Sequence, residues 1–136
     1  MTPGKKVEAW GTYQLKTSRF SINLKNVNNG WYVLHVDFRP ALQLTVMSSR
    51  LSKGWGAEIR CALPDFRAGE RFKITLECRS SEFGIYFNDQ ELSETFPYRA
   101  DLSSANIVSL EGGESGRLLW DEVSLPDQTP PQGIRI

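Results

Sequence analysis

Apolar and polar residues alternate along this chain in short runs. Phe20, Ile22 and Leu24 alternate with Ser21, Asn23 and Lys25, and Phe72, Ile74, Leu76 and Cys78 alternate with Lys73, Thr75 and Glu77. Phe83, Ile85 and Phe87 keep the same period of two, the period at which successive side chains point to opposite faces of a strand. Between the runs stand turn signals: Asn29-Gly30, Ala68-Gly69, Asn88-Asp89 and Gly112-Gly113. These residue types accept the left-handed backbone of tight turns. About ten short strands with turns every ten residues or so read as a sandwich or a barrel. No window carries a sustained helical stripe, so the pattern predicts an all-β fold. One domain is expected over residues 1–125. Residues 126–136 carry three prolines and read as an extended tail, with docking along a sheet edge as the alternative.

Composition narrows the function classes. A chain of 136 residues that is 40% hydrophobic suits one ordinary core. Sixteen basic residues balance sixteen acidic ones, so no cationic excess exists to collect nucleic-acid phosphates or anionic lipid. The longest apolar stretches fall far short of a membrane span. Met1-Thr2-Pro3-Gly4-Lys5-Lys6 is followed by no apolar leader core, and cytoplasmic synthesis is the expectation. Cys61 and Cys78 occupy apolar positions of expected strands, and are expected to be reduced, buried and unpaired.

The polar residues worth weighing fall in two segments. In Leu34-His35-Val36-Asp37-Phe38-Arg39, the residues His35, Asp37 and Arg39 share one face. In Trp55-Gly56-Ala57-Glu58-Ile59-Arg60, read as a second strand, Glu58 and Arg60 share one face. Guanidinium forks donate, carboxylates accept, and together they can satisfy the hydroxyls of a polyol, while an indole plane can pack on the C–H face of a sugar ring. The same pattern is equally that of a solvated strand face with cross-strand ion pairs and no ligand.

These segments and their flanks resemble the galectin family. Galectins carry His-x-Asn-x-Arg on one strand, an Asn on the next, and Trp-Gly-x-Glu-x-Arg shortly after. Here the flanks Arg19-Phe20-Ser21-Ile22-Asn23-Leu24, the run Leu63 to Ile74, Phe87-Asn88-Asp89-Gln90 and Phe96-Pro97-Tyr98-Arg99 follow in the family's order, over about residues 4 to 125. The resemblance implies a jelly-roll sandwich of two antiparallel sheets that binds β-galactosides, with no cofactor. By position, His35 and Arg39 would meet the axial 4-hydroxyl of galactose and Trp55 would stack on the ring. Glu58 would contact the 6-hydroxyl and orient the arginines, Arg60 among them. The family's members commonly dimerise, so a homodimer is compatible, and many leave the cell without a leader.

Two positions depart from the family pattern. Its first Asn is Asp37 here, and its second, seven residues before the Trp, falls on Ser48. A carboxylate only accepts hydrogen bonds, and Asp37 can close onto Arg39 and occupy the fork meant for sugar. Ser48 is too short to replace an amide directly, though a water can bridge the gap. In addition, Phe38 replaces the family's Pro, and the loop after Arg39 is shortened to about Pro40–Gln43. The expectation is galactoside binding that persists with weakened or altered affinity; the alternative is a domain that has lost it and serves protein contacts.

Other chemistries fit poorly. Asp37 and Glu58 could form a glycosidase pair, which needs carboxylates about 5–5.5 Å apart in retaining enzymes, but the flanking Arg39 and Arg60 oppose the raised pKa a general acid requires. His35, the one histidine, has no Gly-x-Ser-x-Gly nucleophile to serve. One His with two inward Cys makes no metal-ligand set, and Asp121 and Glu122 point to opposite strand faces.

Overall fold

The computed structural model describes residues 1–13, 19–65, 67 and 69–112, together with the backbone of 118–124. Among these residues are twelve strands: β1 (Lys6–Tyr13), β2 (Phe20–Lys25), β3 (Tyr32–Arg39), β4 (Leu44–Leu51), β5 (Gly54–Trp55), β6 (Ile59–Ala62), β7 (Arg71–Cys78), β8 (Glu82–Phe87), β9 (Gln90–Glu91), β10 (Phe96–Pro97), β11 (Ile107–Glu111) and β12 (Leu118–Ser124). Single 3-10 turns at Pro40–Leu42 and Leu102–Ser104 complete the elements. The all-β expectation holds. One antiparallel sheet runs β10-β8-β7-β1-β12 with β9 on β8; the other runs β11-β2-β3-β4-β5 with β6 on β4. No helix of the described residues is long and apolar enough to cross a membrane. The proposed tail at 126–136, Ala68, Gly113 and the side chains of Asp121 and Glu122 lie outside the described residues.

The two sheets meet over the predicted apolar alternation. Phe20 and Phe38 from one sheet and Phe72 and Phe87 from the other form a continuous ring stack, with centroids 5.1 Å apart for Phe20–Phe72, 5.2 Å for Phe20–Phe38 and 5.7 Å for Phe72–Phe87. Phe38 is fully buried. Where the family pattern has a proline, this chain has a core anchor, and truncating it to Ala should cost about 3–5 kcal/mol. Cys61 and Cys78 are free and buried, as expected of small core residues.

Turn chemistry also follows the sequence. Asn88 and Asp89 take φ of 50° and 67°, the two left-handed residues of a two-residue hairpin, and Phe87 pairs with Gln90 across it. Gly30, at φ 75°, closes its turn by donating to the Asn26 carbonyl at 2.9 Å. After Arg39, the short loop is the Pro40–Leu42 turn closed by Gln43 at φ 49°. It builds no wall beside β3, and Leu42 stands exposed.

The second sheet carries the residues of interest on its outward face. The register places Asn23, His35 and Ser48 side by side across β2, β3 and β4. The neighbouring row is Ser21, Asp37, Val46 and Arg60. A third juxtaposition sets Tyr32 beside Arg50 and Arg50 beside Trp55. Residues separate in sequence thus become neighbours through pairing alone.

Candidate functional site

These rows enclose an open cleft of about 260 Å³, lined by Arg19, His35, Asp37, Arg39, Val46, Ser48, Trp55, Gly56 and Glu58. Ligand clefts commonly run to about 300–1,000 Å³, so this one suits a small ring and not a large cofactor. Six of the seven residues singled out in the sequence line it. Arg60 stands just outside and reaches in through its ion pair with Glu58, at 2.7 Å.

One expectation is corrected here. Trp55 to Arg60 is not a single strand. β5 ends at Trp55, β6 begins at Ile59, and Gly56–Glu58 bridge them; both short strands pair with β4. The break is pinned by hydrogen bonds, with the Gly56 amide donating to the Ser49 carbonyl at 2.9 Å and Ser48 Oγ donating to the Gly56 carbonyl at 3.0 Å. Glu58 therefore sits on the bridge, where its Oε1 accepts from Arg60 Nε at 3.1 Å and Nη2 at 2.7 Å. These bonds hold its carboxyl below the usual range, the opposite of what a general acid needs.

His35 is fixed by a neighbour the sequence did not single out. Its Nδ1 lies 2.5 Å from Asn23 Oδ1. The Asn23 amide nitrogen is already donating to Ser21 Oγ at 3.2 Å, so its oxygen must accept, and Nδ1 carries the proton. Burial of the ring lowers the His35 pKa below its ordinary value, outweighing the opposing pull of Asp37 and Glu111. At neutral pH the ring is then uncharged and Nε2 is an acceptor lone pair. Tyr32 and Trp55 brace it, with centroids 5.8 Å and 4.9 Å away, and Tyr32 touches Trp55 at 5.2 Å. Trp55 itself is 53% exposed, a large indole face held at the cleft edge.

Asp37 is 2% exposed and does close onto Arg39, but through Nε alone, at 2.9 Å. Its other cation is Arg19, with Nη2 at 2.9 Å from Oδ2 and Nε at 3.3 Å from Oδ1. A buried carboxylate without partners would be costly; two guanidiniums remove that cost. Among the described residues, the two Nη groups of Arg39 have no further partner, so one of its five N–H donors is committed and four remain. Ser48 spends its hydroxyl proton on Gly56, which leaves its oxygen free only to accept.

The sequence reading missed Arg19, Asn23 and Tyr32 as parts of the site. Asn23 stands on the Ser21 face of β2, which the period of two marked only as polar, and Arg19 immediately precedes the strand. Their partners come from β3, and only the strand register reveals that. Among the described residues, no group of three or more His, Cys, Asp or Glu could hold a metal ion.

The fold is that of a known class. The family model described as galactoside-binding lectin matches residues 1–115, and the chain belongs to that family, a class of carbohydrate-binding proteins. It is similar to galectin-4 of Sus scrofa, 27% identical over 92 residues, covering 67% of this chain and 28% of that protein. It is also similar to a 32 kDa beta-galactoside-binding lectin of Haemonchus contortus, 26% identical over 108 residues, covering 79% and 38%. The chain thus spans well under half the length of these relatives. In fold it matches sheep galectin-11, solved in complex with glycerol, at a TM-score of 0.80 and 15% identity over 92% of this chain and 91% of that one. The galectin LEC-6 of Caenorhabditis elegans matches at 0.77 and 21%, over 91% and 83%.

Proposed function

We propose that the cleft binds a β-galactoside, with an affinity set by the Asp37 ion triad in place of a neutral amide. One observation carries this reading: an exposed indole face, an acceptor nitrogen on His35 and uncommitted Arg39 donors converge on one small open cleft. That is the set of groups a galactose ring needs, an apolar plane for its C–H face and paired donor and acceptor for an axial hydroxyl. Asp37 accepts from hydroxyls but cannot donate, and Ser48 is turned toward Gly56. Each lost neutral hydrogen bond costs about 1 kcal/mol, roughly fivefold in affinity.

The test is calorimetric titration with lactose, with sucrose as control. Heat with lactose alone that disappears in Trp55→Ala supports the reading. Silence at millimolar lactose refutes it, and would favour the second reading, a family member that contacts proteins. What supports that rival is the capture of Arg39 Nε by Asp37.

A further inference from the structure

Arg99 belongs to the other sheet's side of the sandwich. It follows β10 and packs its guanidinium over Phe96, 4.5 Å from the ring centroid. From there Nη1 reaches across to β4 and donates to Ser49 Oγ at 3.3 Å. The same Nη1 would stand 2.8 Å from a Cβ built on Gly56, closer than real Cβ atoms come to a neighbour. The Ser49 backbone carbonyl accepts the Gly56 amide at 2.9 Å, and Trp55 immediately precedes Gly56. Ser48 and Ser49 point to opposite faces of β4: Ser48 lines the sugar cleft, while Ser49 and Arg99 line a second crevice of about 270 Å³ that shares Trp55 and Gly56 with it.

We infer that Arg99 is a positioning residue for sugar recognition, a strut from the segment after β10 that orients Trp55 and Gly56 without touching the ligand. The guanidinium stands where a side chain on Gly56 would begin. The obstructing atom is the far end of a flexible side chain, so an added methyl pushes the guanidinium aside before it moves the backbone. Gly56→Ala therefore releases the same strut that Arg99→Ala deletes, and the two changes act on one contact. Removing both should do no more than removing either.

This inference rests on Trp55 being the sugar platform, and its test separates the two. The first readout is the Trp55 indole N–H resonance of the sugar-free chain, identified by its loss in Trp55→Phe. It should shift in Arg99→Ala and in Gly56→Ala, to similar positions. The second is lactose affinity, which should fall about fivefold in each single variant, the size of one lost hydrogen bond, and by the same factor in the double variant. Losses that multiply in the double variant, or an indole signal unmoved by Arg99→Ala, overturn the strut. Should Arg99→Ala not fold, Arg99→Lys takes its place: a compact ammonium cannot both sit over Phe96 and reach Ser49 Oγ as the planar guanidinium does, so the indole shift is expected there too. A wild-type chain silent to lactose, with the indole still shifting, sinks the galactoside reading alone.

Discussion

Each sheet carries a cluster of arginine and carboxylate on its outward face, and the two clusters differ in who is left wanting. On the first sheet, Arg79 is ringed by acceptors. Its Nε meets Glu77 at 2.7 Å, Nη1 meets Glu82 at 3.3 Å, and Nη2 bonds Glu91 and the Tyr86 hydroxyl. Glu77, then Glu91, hold its pKa well above the ordinary range. The guanidinium lies flat on Gly84, where a Cβ would come within 2.5 Å of it. On the second sheet the ratio is inverted: two guanidiniums share one buried carboxylate, and donors remain. In the first arrangement four of the five guanidinium N–H groups are spent on neighbouring acceptors. Charge on a surface marks a binding site only where the fold leaves hydrogen-bonding capacity unspent.

That contrast can be broken from either side. The largest effect is expected at the unspent donors and the indole: Arg39→Ala should weaken lactose binding roughly a hundredfold, because charge-assisted bonds are each worth about 1.5–3 kcal/mol, and Trp55→Ala should abolish the measurable heat by removing the apolar plane. Calorimetry reads this directly, and retained binding in Arg39→Ala would remove the cleft as the site. Next comes Asp37→Asn, which restores an amide and frees Arg39 Nε. It should tighten lactose binding about fivefold while lowering stability by about 1–2 kcal/mol, since Arg19 and Arg39 lose a buried partner that solvent only partly replaces. An unchanged affinity would mean that the ion triad is not what sets it.

Arg79→Gln sharpens the other half. Lactose affinity should not change, and the melting temperature should fall by several degrees, about 1–2 kcal/mol after allowance for the solvent exposure of these groups. A loss of affinity there would contradict the view of that cluster as a closed knot. The smallest effect is in pH. With the folded His35 pKa lowered, Nε2 stays an acceptor, and lactose affinity should be flat from pH 8 to about 6.5, falling only below the lowered value. The unfolded chain protonates first, near its ordinary pKa, so this residue's share of stability is present at higher pH and is lost as pH drops through that window. An affinity that rises on acidification would mean the ring donates from Nε2.

Much of this was legible from residue order. The apolar members of each alternating run went to the core, and the Asn88-Asp89 turn formed where its residue types allow φ > 0. Six of the seven singled-out residues line one cleft. What periodicity could not tell was coverage. Ser21 and Asn23 are the polar members of an alternating run, yet both are buried, flanked by β3 and β11. Arg19 was invisible for the same reason: its role depends on Asp37, eighteen residues away and adjacent only through the β2–β3 register. The break between Trp55 and Ile59 was hidden because the hydrogen bonds that pin it run from Gly56 to Ser48 and Ser49 on β4, a pairing that residue order does not display.

The two cysteines carry a consequence for how the molecule can be watched. Cys78 is 1% exposed and Cys61 8%, and burial raises both thiols, Cys78 to about 11. At neutral pH only about one Cys78 in ten thousand is the thiolate that reacts with an alkylating reagent. In the closed state Cys78 offers a reagent neither access nor thiolate, so its labelling records an opening of the core between the sheets. That thiol is a built-in clock for unfolding, and any of the variants above can be timed against it without a dye.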